Sequence, residues 1–326
     1  MSPHPTRRRL LATALASAAA SLPLAAIAQD AKPLEWVLGY PAGGGSDIVA
    51  RTLAEPMSKT LGRSVIVNNK PGAATNIAAD YVAKSKDIGN IMLTADFATL
   101  AANPALFSKL PYDADRDFAP VGLLARFPML LVVGSAVPAS NLKTFTAWAK
   151  AQGGQLNYAS AGAGSPHHLA AELLRERMGL AMTHVPYRGA APAVQDLIGG
   201  QVPFAMMDTA AVLQHLASGR LKAIGVASPA RLKILPDVPT LAEQGLAGFE
   251  AYAWQGLVVP AATPGPALAQ LHAALQQALD NTYVKARFQT LGLEPLPGTP
   301  QQMASYAKAE RARWGQLIKA NGIKLD

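Results

Sequence analysis

The sequence predicts an α/β protein built on largely parallel sheets. Short apolar runs alternate with amphipathic segments along the chain after residue 30, which is typical of strands joined by helices. Turns made of glycine and other small residues follow several of these runs directly. The apolar runs predict strands at 34–40, 64–69, 91–95, 128–134, 156–160, 182–187, 202–207, 221–227 and 254–260.

The segments between the strands carry helix signals. Ser165 followed by Pro166 is an N-cap residue with a proline at the first helical position. The TPQQ sequence at 299–302 matches a capping box, in which a side chain at each end bonds to the backbone of the other. Leucines at helical spacing over 268–279 predict another helix, and we interpret such apolar stripes as core.

Four of the strand–turn–helix units have unusually open turns. In open α/β sheets, ligands bind beside the carboxyl ends of the strands, where such turns lie. Four turns suited to anions are too many for one small pocket on a single sheet, so we expect two lobes that face each other across a cleft. The four turns are 43–47, 71–76, 160–165 and 188–192.

The first turn, within PAGGGSD at 41–47, does not match a nucleotide motif. No Lys follows Gly45, as a P-loop requires, and Ile48 stands where the dinucleotide fingerprint needs its third glycine. Glycines before a helix still present backbone N–H groups and a partial positive charge to a small anion. Two interpretations stay open at this point, an anion cradle or a tight turn without a ligand.

The N-terminus predicts export. Three arginines at 7–9 precede an uncharged stretch from 10 to 27, and Ala26-Ile27-Ala28 matches the small-x-small pattern of a cleavage site. The stretch is rich in alanine and interrupted by serine and proline, so it is a poor membrane span. We expect a signal peptide cleaved after Ala28 and a periplasmic protein, by either the general secretory or the twin-arginine route.

Composition narrows the possible partners. Cleavage would remove three of the 29 basic residues and none of the 21 acidic ones, which leaves a net charge of +5. The basic residues are scattered, so nucleic acid is not an expected partner. The chain has no cysteine, which excludes disulfides and thiol chemistry.

The motifs of common enzymes are missing. No G-x-S-x-G elbow occurs. Among the histidines only His167 and His168 are neighbours, and adjacent helical positions point about 100° apart, so no metal site is expected. His168 and Glu172 share a helix face and are expected to form a surface pair. We therefore expect neither catalysis nor a cofactor.

Taken together, the motifs resemble the Bug-type receptors, which are the periplasmic solute-binding components of tripartite tricarboxylate transporters. The similarity runs in order from about residue 34 to the C-terminus. The segments that carry it are PAGGGSD (41–47), NKPGAATN (69–76), NPALFSKLPYDADRDFAPVGLL (103–124), NYASAGAGSPHHLAAELL (157–174), VPYRGAAPAVQDLIGGQV (185–202) and LPDVPTLAEQG (235–245).

The resemblance implies a two-lobed, flytrap-like fold of the type II periplasmic binding proteins. Residues 29–132 and 252–326 would form lobe one, residues 133–251 lobe two, and the strands at 128–134 and 252–260 would cross the hinge. It also implies a monomeric, non-enzymatic receptor that delivers a small carboxylate to membrane permease subunits. The alternatives are a ligand-sensing subunit for a membrane sensor kinase and, less favoured, an exported hydrolase.

The turns supply the candidate ligand-binding residues. Asp47, Asn76 and Ser165 have helix capping as an alternative role, and Arg188 has a solvated surface charge as its alternative. The candidates are Tyr40, Gly43, Gly44, Gly45, Asp47, Asn76, Thr94, Asp96, Ser160, Ala161, Gly162, Ser165, His168, Tyr187, Arg188 and Asp208.

Two positions depart from the family pattern. Ala74-Thr75 stand where relatives usually have Gly-Gly, which is expected to narrow that wall of the site. Asp96 stands where many relatives have a small or hydroxyl residue. It would either cap the segment that starts at Phe97 or accept an ammonium group, and the second role would favour an amino-bearing monocarboxylate over citrate-like ligands.

Overall fold

A computed structural model describes residues 32–326, so the predicted signal peptide lies outside the described residues. The strands are β1 (Leu34–Leu38), β2 (Val65–Asn69), β3 (Ile91–Asp96), β4 (Phe118–Gly134), β5 (Leu156–Ser160), β6 (Met182–Pro186), β7 (Phe204–Asp208), β8 (Leu221–Val226), β9 (Tyr252–Pro260) and β10 (Glu294–Pro295).

The helices lie between these strands. They are α1 (Gly45–Leu61), α2 (Asn76–Ala83), α3 (Asn103–Leu106), α4 (Leu142–Ala151), α5 (Pro166–Met178), α6 (Ala190–Ile198), α7 (Thr209–Ala217), α8 (Gly265–Asp280), α9 (Thr282–Thr290) and α10 (Pro300–Ala320), with a 3₁₀ turn at Ala73–Thr75 and a π-helical turn at Ala98–Ala102. Within residues 32–326, no helix is both long and apolar enough to cross a membrane.

The strands join into one curled sheet with two halves. In the first half, β1 pairs in parallel with β2 and β3, and β9 pairs antiparallel with β3 and with residues 118–128 of β4. In the second half, β5 pairs in parallel with β6 and β7, while β7 and β8 pair antiparallel with residues 129–134 of β4. The predicted α/β class is confirmed, but the pairs that involve β4 and β9 are antiparallel.

The register makes the strand ends of both halves converge. In the first half, Asp96 at the end of β3 lies opposite Gln255, which lies opposite Ala125 of β4. In the second half, Asp208 at the end of β7 lies opposite Met129 of β4. Met129 is four positions beyond Ala125 in β4, or about 13 Å at the rise of a strand. The turns that follow the parallel strands of each half therefore approach the middle of β4 from opposite directions.

Burial of one helix face fixes the position of α1. Val49, Leu53 and Met57 recur every fourth residue along α1 and are fully buried against the first half of the sheet. Each contributes about 1.5–3 kcal/mol by removal of its side chain from water. This packing holds the N-terminus of α1 beside the ends of β1 and β3.

The local predictions are mostly confirmed. Ser165 caps α5 by accepting a bond from the His168 amide, and Thr299 and Gln302 form the predicted capping box. The strand predicted at 128–134 is too short, since β4 begins at Phe118. Pro120, Gly122 and Arg126 interrupt the apolar pattern there, and pairing with β9 maintains the extended chain.

Candidate functional site

The glycine turn before α1 presents an uncapped helix N-terminus. Gly44 is the N-cap residue and no side chain caps this helix. Gly43 has a φ of +84°, a conformation that glycine adopts without strain. A Cβ atom added to Gly44 would meet only the Pro41 carbonyl oxygen, at 3.7 Å, so the space in front of the turn is open. The turn therefore has the geometry of an anion-binding site.

Asp47 holds this turn in shape from within the protein. Its carboxylate accepts bonds from the Gly43 amide at 2.9 Å and from Asn69 Nδ2 at 3.0 Å, and it pairs with Arg51 Nε at 2.9 Å. Burial opposes ionisation of Asp47, but the bonds from Arg51, Gly43 and Asn69 outweigh it and lower its pKa below the usual value. Asp47 thus stabilises the turn and does not point at the space in front of it.

The second turn has a left-handed backbone without glycine at three positions. Ala73, Ala74 and Thr75 have φ values of +47°, +50° and +74°, and they are the only non-glycine residues with positive φ in the described part of the chain. Thr75 is buried and packs against Gly39, where an added Cβ would come within 2.7 Å of Thr75 Cβ. Asn76 Oδ1 accepts a bond from Asn103 Nδ2 at 2.7 Å.

Asp96 is engaged by neighbouring side chains. Its Oδ1 accepts bonds from the Thr99 amide at 3.0 Å and the Thr99 hydroxyl at 2.9 Å, and its Oδ2 accepts one from the Tyr40 hydroxyl. Burial raises the pKa of Asp96, and burial together with the Asp96 charge raises that of Tyr40. This arrangement favours the capping alternative.

Thr94, another candidate, is buried and accepts a bond from Trp36 Nε1 at 2.8 Å.

Gln255 and Ser46 contact each other beside the glycine turn and are not among the candidate residues predicted from the sequence. Gln255 lies in β9 and donates through Nε2 to Ser46 Oγ in the first turn of α1. Gln255 is 4% exposed, and its Oε1 atom is buried without a hydrogen-bond partner in the described structure. The sequence does contain a sign that Gln255 is unusual, because it is the one strongly polar residue in the run YAWQGLVVP.

The third turn is supported by two stacked histidines, of which His168 is buried and His184 is half-buried. His168 Nδ1 accepts a bond from the Gly164 amide at 3.0 Å, and the His168 ring stacks on His184 with centroids 3.8 Å apart. Burial lowers the pKa of both imidazoles to about 4, so both are neutral at pH 7. Ser160 Oγ lies 2.6 Å from His184 Nε2 but is fully buried, so it is not presented as an exposed nucleophile.

The expected surface pair of His168 and Glu172 is wrong. Both residues are buried, and Glu172 instead accepts a bond from Tyr158 OH at 2.5 Å and pairs with Arg175 at 2.8 Å. The helix face that carries both residues turns toward β5 and β6, where the stacked rings cover it. Their spacing alone did not show which way this face points.

Asp208 and the neighbouring His167 form another pair at the end of β7. His167 Nε2 lies 2.9 Å from Asp208 Oδ2, and Asp208 Oδ1 caps α7 through the Ala211 amide at 3.0 Å. His167 is buried, and its Nδ1 atom has no partner in the described structure. Asp208 therefore caps α7 and contacts His167 at the same time.

The fourth turn is tied to the third and carries a cation. The Tyr187 and Gly189 amides donate to the carbonyl oxygens of Ser160 and Ala161 at 3.1 and 3.2 Å. Gly189, with a φ of +112°, begins α6 without a capping side chain. Arg188 is exposed and makes no ion pair with any residue from 32 to 326. Its turn thus combines a free positive charge with an uncapped helix N-terminus.

The register brings the ends of β3 and β7 close to the middle of β4, whereas two surface cavities lie elsewhere. A cavity of about 340 Å³ is lined by Gly134, Trp148 and Pro203 among others, and one of about 90 Å³ by Leu100 and Arg311 among others. None of the candidate residues lines either cavity.

Comparison with known proteins identifies relatives over nearly the whole chain. The chain is 34% identical over 312 residues to protein BugT of Bordetella pertussis, which covers 95% of this chain and 96% of BugT. It is 36% identical over 315 residues to a protein encoded in the tcbD-tcbE intergenic region of Pseudomonas sp., with 96% and 94% covered.

Solved structures have the same fold. The periplasmic binding protein BugD has a TM-score of 0.81 and 34% identity, with 90% of this chain and 98% of BugD covered. An R. palustris protein with adipate has a TM-score of 0.84, 31% identity and coverage of 90% and 98%. MatC from Rhodopseudomonas palustris with bound malate has a TM-score of 0.79, 35% identity and coverage of 88% and 98%.

The sequence also matches a defined family. Residues 49–323 match the tripartite tricarboxylate transporter family receptor, TctC. This span includes the second, third and fourth turns and begins within α1. The chain therefore belongs to the TctC family of tripartite tricarboxylate transporter receptors, with the fold of the Bug-type periplasmic binding proteins.

Proposed function

We propose that this receptor captures a small dicarboxylate between the two halves of its sheet and delivers it to a tripartite tricarboxylate-type permease. The observation that carries the proposal is that each half of the sheet has a parallel strand followed by a helix with an uncapped N-terminus. One belongs to α1 in the first half and the other to α6 in the second half.

One ligand carboxylate would bind at the N-terminus of α1. The amides of the glycine turn other than that of Gly43, which bonds to Asp47, supply donors, and the helix dipole adds a partial positive charge. Arg51 and Asn69 donate hydrogen bonds to the Asp47 carboxylate, so its negative charge is compensated within the protein. The turn thus favours an anion although it contains an acidic residue.

The second carboxylate would bind at the fourth turn. Gly189 leaves the N-terminus of α6 uncapped, and Arg188 next to it supplies a charge without a partner among the described residues. Two anion-binding turns on opposite sides fit a ligand with a carboxylate at each end. Adipate and malate, which are bound in two of the related structures, have this form.

A dicarboxylate fits the charges better than the amino-bearing monocarboxylate considered from the sequence. Asp96 is buried, and both of its oxygens accept bonds from Tyr40 and Thr99. An ammonium group would have to displace one of these bonds to gain the carboxylate as a partner. We therefore assign Asp96 a capping role that positions Tyr40 at the end of β1.

Capture would proceed by closure of two lobes. We assign residues 32–128 and 252–326 to lobe one and residues 129–251 to lobe two, because residues 129–134 of β4 pair with the second half of the sheet. β4 is one connection, because its two parts pair with different halves of the sheet, and the step from Ala251 to Tyr252 is the other. Ala251 bonds to Ala227, whereas Tyr252 pairs with Pro128, so the chain changes neighbours at this step.

The N-terminal segment and the family support the proposals on location, oligomeric state, partners and activity. Cleavage after Ala28 would release a monomeric receptor into the periplasm, and the permease subunits would contact it only transiently. We propose no enzymatic activity for it.

Calorimetry with succinate, adipate, citrate and aspartate tests the ligand class, using wild type, Gly44→Val and Gly265→Val. Valine at Gly44 would cover the amides of α1, and the loss of two charge-assisted bonds at about 1.5–3 kcal/mol each predicts an affinity at least 100-fold lower. Gly265 also begins a helix in open space and is the matched control, which should bind like wild type.

Each outcome has a definite meaning. Tight binding of a dicarboxylate by wild type and Gly265→Val, with loss in Gly44→Val, supports the proposal. Unchanged affinity in Gly44→Val would mean that the glycine turn holds no ligand. Stronger binding of aspartate than of every dicarboxylate without an amino group would mean that the site prefers a ligand with an amino group.

A further inference from the structure

Gln255 is a buried polar residue in a central strand, level with the end of β3 where the ligand is expected. It lies opposite Asp96 on one side and Ala125 on the other, in the row where the strands of the first half end. Trp254 and Leu257 beside it in β9 are fully buried, as expected for a central strand. An apolar side chain would pack as well there, so the amide needs a chemical explanation.

The amide group is only half satisfied. Nε2 donates to Ser46 Oγ, which fixes the amide against the first turn of α1. Oε1 is buried and accepts no bond from any residue in the described part of the chain. A buried acceptor without a donor destabilises the protein, because it has lost its bond to water and gained none in return.

We propose that Gln255 Oε1 accepts a hydrogen bond from a hydroxyl group on the ligand and so selects a 2-hydroxy dicarboxylate over an unsubstituted one. The inference rests on the proposed function, because it assumes a carboxylate at the N-terminus of α1. Ser46 belongs to the turn that would hold this carboxylate and is also bonded to Gln255. The free acceptor is therefore adjacent to the carboxylate, where the substituent on carbon 2 would lie.

The charges of the site favour a hydroxyl over an ammonium donor. Oε1 is an uncharged acceptor, and the nearby carboxylates of Asp96 and Asp47 already accept bonds within the protein. A buried ammonium group would lose its hydration without gaining a free carboxylate as a partner. A hydroxyl group needs only one acceptor. Ser46 Oγ, which accepts from Gln255, still has its own hydrogen to donate to the ligand carboxylate.

The test is calorimetry with malate, succinate and aspartate, which differ only in the substituent on carbon 2. Gln255→Met keeps the size of the side chain and removes the acceptor. Gln277→Met is the control, because Gln277 is exposed on α8 and bonds only to Thr60. We expect wild type and the control to bind one enantiomer of malate about tenfold more tightly than succinate, the effect of one net hydrogen bond, and Gln255→Met to bind malate and succinate alike.

A second variant makes the result independent of how well Gln255→Met folds. Ser46→Ala removes the anchor of the amide at a half-exposed position, and it should also reduce the ratio of malate to succinate affinity. An unchanged ratio in both variants overturns the inference, and so does equal binding of malate and succinate by wild type. A preference for aspartate over malate overturns the choice of a hydroxyl. Failure of wild type to bind any of the three overturns this inference together with the proposed function, whereas tight succinate binding without a malate preference overturns this inference alone.

Discussion

Replacement of Ala74 by glycine should stabilise the protein. Ala74 has φ and ψ of 50° and 47°, the left-handed helical conformation. Its Cβ crowds the following carbonyl there, which costs about 1–2 kcal/mol. Glycine avoids this cost but gains freedom in the unfolded chain, which offsets about 0.4–1 kcal/mol. The free energy of unfolding should therefore rise by about 0.5–1 kcal/mol, and the carbonyl of residue 74 would keep its bond from Asn103 Nδ2.

Urea denaturation followed by circular dichroism measures this change. Ala273→Gly is the matched control, because Ala273 is exposed in the interior of α8, where glycine should lower the free energy of unfolding by about 1 kcal/mol. The same substitution should thus raise the free energy of unfolding at one position and lower it at the other. A loss of stability in Ala74→Gly as large as in the control would refute the left-handed turn and the strain assigned to it.

Three further predictions concern pH, shape and processing. Burial lowers the pKa of His168 to about 4, so the unfolded chain binds more protons between pH 6.5 and 4, and this histidine alone should lower stability by roughly 3 kcal/mol on acidification across this range. His168→Asn keeps an acceptor for the Gly164 amide but does not titrate. Urea denaturation at pH 7.5 and 5 should therefore show a smaller change in its free energy of unfolding than in that of wild type. An unchanged pH dependence would mean that other groups titrate in this range. Solution scattering should give a smaller radius of gyration with saturating succinate, and an unchanged radius would contradict lobe closure. N-terminal sequencing of exported protein should begin at Gln29, and retention of residues 1–28 would contradict cleavage.

The local features of the fold could be predicted from the sequence. The strand at Leu156–Ser160 has the predicted bounds, and the caps at Ser165 and at 299–302 form as expected. Each depends on hydrogen bonds or apolar spacing within a few residues, so the sequence contains all the necessary information. The open turns were found for the same reason, because glycine and proline mark a turn wherever they occur.

The orientation of buried side chains required the tertiary structure. The spacing of His168 and Glu172 identified a shared helix face but not the stack of His184 that covers it. Likewise, Asp96 could be read as a cap or a ligand contact, and the contact with Tyr40, 56 positions away, favours the cap. Such choices depend on residues that are distant in the chain.

The sequence by itself determined the α/β class, most strands, the helix caps and, through its motifs, the resemblance to the receptor family. The tertiary structure decided how long β4 is, how the strand ends converge on its middle, and that Gln255 lies under the first turn of α1 with a free acceptor. Helix caps and turns depend on neighbours a few positions away. Register and burial depend on partners as far apart as Ser46 and Gln255, 209 positions in sequence, and only the folded chain brings these together.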